Sequence, residues 1–302
     1  TRAWFGEKYR ILMDQGIEGF WNDMCEPAIF YSEKRLTETV DKVAALKGQN
    51  LDMDAFFSLK DMVLGLSGSS EDYKAMYHHL DDGSVVNHDL VHNRFGYNMT
   101  RAAAEAIEKI SPDKRVLLYS RSSSIGAHRY GGIWSGDNCS WWSHILLCMQ
   151  QLPGMNMCGF LYTGCDMGGF GCNTTEDLVM RFMQLSVFTP LMRNHSAMGT
   201  REQEAFRFSR KEDFRNMIRI RYALLPYLYS SYMKASTEDG MMFRPVAFDY
   251  PEDAMARQVQ DQLMLGDDLM IAPIYTQNAA GRYVYLPEDM LLVRMKSPEA
   301  LY

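Results

Sequence analysis

Apolar and polar positions along this chain switch between two periods, and the switches mark its elements. A helical period covers 4–15 (WFGEKYRILMDQ) and stops at Gly16, a residue favoured just past a helix end. An apolar, strand-like run follows at 16–23 (GIEGFWND). Segment 26–91 reads as irregular and polar, with short periodic stretches near 53–64 and 72–80. The pattern then predicts an amphipathic helix over 96–109, a turn at 111–114 and a buried strand over 115–120 (RVLLYS). Beyond a Ser-rich loop at 122–126, a strand is expected at 130–134, a helix at 141–152 and a strand at 157–163. A helix over 175–186, capped by Thr174 or Thr175, and a strand at 189–193 come next. A long helix over 211–235 carries Pro226, where a kink is expected. From about Gly240 the texture changes to short alternating runs (FRPVAFDY, DDLMIAPIY, RYVYL), the pattern of a β-rich segment.

Repeated strand–helix units imply a parallel sheet with helices outside it. Strand runs near 17–23, 116–121, 130–137, 157–166 and 189–195 fit the later part of an eight-stranded βα barrel. A doubly wound sheet is the competitor, but no Gly-rich phosphate turn follows the first strand. The expected fold class is α/β: a (β/α)8 TIM-type barrel over 1–239 lacking its first three strands, then the start of a β-sandwich domain over 240–302. Thr1 is not an initiator Met, and both ends read as cut from something longer.

Composition adds limits. A chain of 302 residues with 47% hydrophobic and 23% charged residues suits one large α/β domain, or one with a small partner. The net charge of −7, without a basic block, argues against nucleic acid or an acidic membrane as partner. The start is not signal-like and no apolar stretch is long enough to span a bilayer, so a cytoplasmic location is expected. Cysteines 25, 139, 148, 158, 165 and 172 form no CxxC pair and no zinc spacing with histidine, and read as buried free thiols in a reducing compartment. A disulfide between Cys165 and Cys172 is disfavoured. Homo-oligomerisation stays open.

In a βα barrel the chemistry lies at the C-terminal strand ends. Asp23, Arg121, Asp137, Asp166 and Arg193 with His195 gather there. Asp23 and Asp137 each leave an apolar run beside a tryptophan, Trp21 or Trp134, where an isolated charge is costly unless paired or used. Glycoside hydrolysis uses two such acids, about 5–5.5 Å apart for retention and about 6.5–9.5 Å for inversion. The alternative is a pair of structural, salt-bridging aspartates. Arg121 offers a fork for hydroxyls, or pairs with Asp23 or Asp166. His195, before the small-residue loop SAMG, is read as a ligand contact. Trp21, Trp134 and Phe170 either wall a sugar subsite or pack the core. His78 and His79 with Asp81 and Asp82 superficially resemble a metal site, but adjacent helical residues point apart and a solvated face is preferred. DMGGFG at 166–171 lacks the phosphate-loop spacing and reads as a tight turn that brings backbone close to a ligand.

At these residues the chain resembles the α-glucosidases of glycoside hydrolase family 31. The resemblance rests on GFWNDMCEP, RSSSIGAHRYGGIWSGDN, GCDMGGF, RNH and the RP-F-DYP and LMIAPI runs. It implies Asp23 as the nucleophile and Asp137 as the general acid, then base. It places Arg121, Asp166 and His195 as hydrogen-bonding partners of the first-subsite glucose, and Trp21, Met24, Trp134 and Phe170 on its lining. Retention of α configuration follows, with no metal and no cofactor. The implied activity is an exo-acting, retaining α-glucosidase on short oligosaccharides such as maltose or isomaltose units. An α-xylosidase, an α-transglucosylase and a non-catalytic carbohydrate-binding relative are the alternatives. The family carries Asn where this chain has Cys25, so altered hydrogen bonding is expected beside Asp23. Without the family's N-terminal β-sandwich and first three barrel strands, the 302 residues alone are expected to be inactive or poorly folded.

Overall fold

The computed structural model describes residues 1–28, 31–66, 69–293 and 295, and divides into two units, 1–131 and 132–302. In the first unit the helix expected over 4–15 is two short helices, α1 (Arg2–Glu7) and α2 (Arg10–Met13). Strand β1 (Gly19–Asn22) follows. The segment expected to be irregular is mostly ordered. It holds α3 (Glu33–Ala45), α4 (Met53–Leu64) and α5 (Ser70–Ala75), then a hairpin of β2 (Tyr77–His79) and β3 (Val85–Asn87), and α6 (His88–Val91). Ser32, Asp52 and Ser69 cap α3, α4 and α5 by accepting backbone N–H groups. Helix α3 has apolar Leu36, Val40 and Val43 behind its cap, but Val40 and Val43 are exposed, which leaves its helical stripe faint.

Helix α7 (Phe95–Ile110) buries Ala103 and Ile107 against Leu118 of β4 (Leu117–Ser120). Strands β1 and β4 pair in parallel, Gly19 opposite Leu117 and Asn22 opposite Ser120. Their last paired residues are therefore level.

In the second unit, β5 (Gly132–Ile133) precedes α8 (Trp142–Met157). The helix expected to end at 152 continues through Pro153 and stops before Gly159, which has a φ of +85°. The strand expected over 157–163 therefore starts later. Its carbonyls still bond on both sides: the Ile133 and Ser135 N–H groups donate to Tyr162 and Gly164, and the Leu191 N–H to Thr163. Strand β6 (Asp166–Met167) then leads to α9 (Glu176–Ser186), capped by Thr175. Strand β7 (Arg193–Asn194) pairs in parallel with β6, Asp166 opposite Arg193. The long α10 (Lys211–Thr237) contains Pro226 and runs on past it.

The β-rich end is a small antiparallel sheet of β8 (Phe243–Pro245), β9 (Leu263–Leu265) and β10 (Leu269–Ile271), with α11 (Val246–Asp249) after β8. The RYVYL run carries no strand assignment. One core joins Ile145, Met149, Phe182, Met183, Phe214, Phe243 and Leu265. Parallel pairing with helices between strands is present in both units, as a βα reading requires, although the sheets are small. Among the described residues no helix is long and apolar enough to cross a membrane. All six cysteines are free; Cys25, Cys148 and Cys165 are buried, whereas Cys158 and Cys172 are exposed, against the expectation of six buried thiols.

Candidate active site

Because Asn22 and Ser120 end their strands level, Asp23 and Arg121 leave the sheet side by side. Arg121 Nη1 lies 3.0 Å from Asp23 Oδ1, and the Met24 N–H donates to the same oxygen at 2.7 Å. Met24 adopts a φ of +54°, a left-handed conformation that turns the chain at this point. The rest of the Arg121 fork is taken by Glu26: Nε and Nη2 donate to Oε1 and Oε2 at 2.7 and 3.0 Å. Burial opposes ionisation of Glu26, but the Arg121 hydrogen bonds, its own backbone and the charges of Arg121 and His92 hold it below the usual carboxylate range. Glu26, which shares Arg121 with Asp23, is not among the candidate residues read from the sequence. Its partner lies 95 positions away, and its place in the GFWNDMCEP run, three residues after Asp23, is what hints at it.

Cys25 makes thiol contacts where the family carries an amide. Its buried Sγ accepts the Ser122 N–H at 3.3 Å and lies 3.3 Å from both Asn22 O and Ser120 Oγ. One thiol serves as weak donor and acceptor, so weaker bonds replace the amide's rather than leaving a gap. Gly96 of α7 backs this turn: a Cβ there would lie 2.3 Å from Ser122 O and 3.0 Å from Cys25 O. Trp21 stacks on buried Tyr119 at 4.6 Å, so one of its faces is packing, while Met24 is 44% exposed.

In the second unit the buried acid is Asp166, with no exposed surface. Arg193, opposite it in register, donates Nε to Oδ1 at 2.9 Å and brings Nη2 to the same oxygen. Oδ2 is buried without a hydrogen-bond partner among the described residues. Burial pushes the Asp166 carboxyl above its usual range; Arg193 and His195 oppose this, and the nearby Asp137 charge adds to it. Phe170 stacks on exposed His195 with ring centres 5.2 Å apart. Trp134 is buried, with the Arg193 guanidinium 5.6 Å from its ring centre. It is a floor under Arg193 more than an open sugar wall.

Asp137 itself is exposed, and the buried Asn138 beside it anchors its loop. Asn138 Nδ2 donates to Asp166 O at 2.9 Å, and its carbonyl accepts the Phe170 and Gly171 N–H groups at 2.7 and 3.0 Å. Gly169, at a φ of +90°, admits no Cβ: one would lie 2.3 Å from Ser140 N. The glycine turn thus closely approaches the chain's own backbone. Gln203 Nε2 adds contacts to the carbonyls of Met167, Gly169 and His195 at 3.0–3.3 Å. Asn138 closes the quoted run RSSSIGAHRYGGIWSGDN without a charge to mark it, and Gln203 lies in none of the quoted runs.

Among the described residues no group of three His, Cys, Asp or Glu side chains is placed to hold a metal. His78 and His79 sit on β2, not on a helix, so they point to opposite sides of a strand. His78 turns inward, and Nε2 lies 2.8 Å from His88 Nδ1; His88 Nε2 lies 3.1 Å from His92 Nδ1. Tyr73 stacks on His92 at 4.3 Å.

The model of the glycosyl hydrolases family 31 TIM-barrel domain matches residues 1–231, and that of the family's C-terminal domain matches 239–298. The chain belongs to glycoside hydrolase family 31. Among its relatives, alpha-glucosidase 2 of Bacillus thermoamyloliquefaciens is 32% identical over 95% of this chain and 32% of its own length. Neutral alpha-glucosidase C of Mus musculus is 30% identical over 95% of this chain and 28% of its own. The family 31 dextranase of Flavobacterium johnsoniae, solved with glucose, superposes with a TM-score of 0.75 at 27% identity, covering 95% of this chain and 32% of the dextranase. This family 31 chain thus spans about a third of the length of the relatives it matches. Its strand-end acids fall inside the barrel-domain match.

Proposed function

We propose that the protein is a retaining, exo-acting α-glucosidase that releases terminal α-linked glucose from short oligosaccharides by double displacement. The observation that carries the reading is Asp166: a desolvated carboxylate with one oxygen held by Arg193 and the other buried without a donor, beside the Phe170–His195 stack. A buried acceptor without a donor is costly, and a sugar hydroxyl removes that cost.

Asp23 acts as nucleophile. Both of its contacts among the described residues fall on Oδ1, so Oδ2 attacks the anomeric carbon as its bond to the leaving oxygen breaks. Asp137 gives its proton to that oxygen. The resulting glycosyl ester is cleaved when ionised Asp137 takes a proton from water and the water oxygen attacks the same carbon, restoring the α configuration. Arg121, Asp166 and His195 hold the glucose hydroxyls; Trp21, Met24 and Phe170 contribute the lining, with Trp134 buried beneath Arg193. No step calls for a metal or cofactor. Residues 1–239 are read as barrel strands four to eight and 240–302 as the start of the C-terminal domain.

The Flavobacterium dextranase was solved with glucose and, as a variant, with isomaltotriose, which favours a glucose ring over xylose. In the protein at the full length of its relatives, Asp23→Ala is expected to abolish turnover of an α-glucoside while glucose still binds. An unchanged rate would exclude Asp23 as nucleophile, and release of the β anomer would exclude retention.

A further inference from the structure

A cavity of about 460 Å³ in the first unit is lined by Arg2, Arg94, Tyr97, Asn98, Arg101, Ser124, Ile125 and Arg129, none of them a residue of the glycosidase site. Its size falls within the range of roughly 300–1,000 Å³ usual for small-molecule pockets. Positions 94, 97, 98 and 101 share one helical face at and after the start of α7. Arg2 comes from α1, whose Gly6 lets it lie directly on α7: a Cβ at Gly6 would sit 2.5 Å from Ala102 O. Gly126, at a φ of +97°, shapes the loop that carries Ser124, Ile125 and Arg129 to the third side.

Four guanidinium groups thus converge in a chain whose net charge is −7. Compensation is thin. Glu105 takes Arg101 Nε at 2.6 Å and lies 3.9 Å from Arg2 Nε, so one carboxylate answers two arginines. Arg129 spends Nε on Gly126 O at 3.1 Å and approaches the neutral Tyr97 hydroxyl at 3.4 Å. Arg94 has no ion-pair partner among the described residues. The Tyr97 hydroxyl is held below the usual phenol range, first by a hydrogen bond with Tyr130, against burial, then by Arg129 and the charge of Arg101. The lining contains no lysine: every cation is the planar fork that matches a tetrahedral oxyanion, and Ser124, Asn98 and Tyr97 add neutral polar groups around it.

We propose that this cavity is a binding site for a small soluble molecule bearing a phosphate or pyrophosphate group, separate from the glycosidase site. Like-charged guanidinium groups around one space repel one another, and a multivalent oxyanion is the ligand that turns the repulsion into binding.

The test is calorimetric titration of the protein with pyrophosphate and with glucose 6-phosphate at matched ionic strength, with glucose as the uncharged control. Binding of either phosphate with at least tenfold loss in Arg94→Ala/Arg129→Ala supports the site. The control Arg115→Ala, which removes an exposed arginine outside the lining, is expected to bind as the parent does. Equal loss in both variants means diffuse attraction and overturns the proposal, as does the absence of phosphate binding by the parent. A vesicle arm separates sources: capture on phosphatidic acid vesicles without binding of either soluble phosphate overturns the small-molecule assignment. Unchanged melting temperature of the double variant without ligand verifies that it folds.

Discussion

Glu26 shows how a residue outside the reacting pair sets its geometry. By holding two nitrogens of Arg121, it fixes the third where it meets Asp23 Oδ1. In Glu26→Gln the amide nitrogen would face a guanidinium donor, and Arg121 would swing. Small misplacements of this kind cost on the order of 10²-fold in rate. Because Arg121 also holds the glucose, the expected outcome is a fall of that size in kcat/KM with the melting temperature nearly unchanged; a kcat/KM equal to the parent's would show that Glu26 does not position Arg121. Asp23, Asp137, Asp166 and Arg121 stand out in the sequence as ionisable residues leaving apolar runs beside aromatics; the cost of burying a charge applies to Asp166, whereas Asp23 and Asp137 are exposed. Glu26, Asn138 and Gln203 do not stand out, since each acts through partners distant in sequence or through backbone atoms. The aromatics were half legible: Phe170 lies stacked at His195, but Trp134 is buried and Trp21 gives one face to Tyr119.

At the scale of elements, boundaries decided what the sequence revealed. Reading 72–80 as one periodic stretch placed His78 and His79 on a helix. The helix in fact ends at Ala75, and His78 on β2 joins His88 and His92 in a hydrogen-bonded row. His88 is fully buried, and burial together with the His78 and His92 charges lowers its pKa from 6.5, against a smaller opposing effect of Asp89. Tyr73 and Phe95 also face it; Glu26, close to His92, and Asp72, paired with Arg35, are the neighbouring acids. The folded state binds the His88 proton less readily than the unfolded chain. Stability is therefore unaffected well above pH 6.5 and falls as pH drops below it, by up to about 1.4 kcal/mol per pH unit until the folded value is reached. The urea midpoint should decline from about pH 7 towards pH 5 in the parent, and His88→Gln should flatten that slope. Parallel slopes would show that His88 does not titrate in this window.

For the whole molecule, the alternation of strands and helices was the strongest signal, and the family match bears out a TIM-barrel domain followed by a C-terminal domain. Helix α3 leaves a faint sequence pattern because its apolar positions are partly solvated, and the 162–167 segment starts late because glycine, not proline, ends α8. Only a third of the relatives' length is spanned, and Tyr222, Leu225 and Tyr229 leave an apolar stripe exposed along α10. The 302 residues alone are expected not to turn over p-nitrophenyl α-glucoside; measurable turnover would refute the proposal that strands one to three are needed. Within the second unit, the Asn138 carbonyl and Gly169 tie the loop after Asp137 to the turn after Asp166, with no room for a single methyl group between them. Those two stretches pack as one block. A designer who grafts a relative's acid-bearing loop to change linkage preference must transplant the glycine turn with it, or the donor loop will arrive without its template.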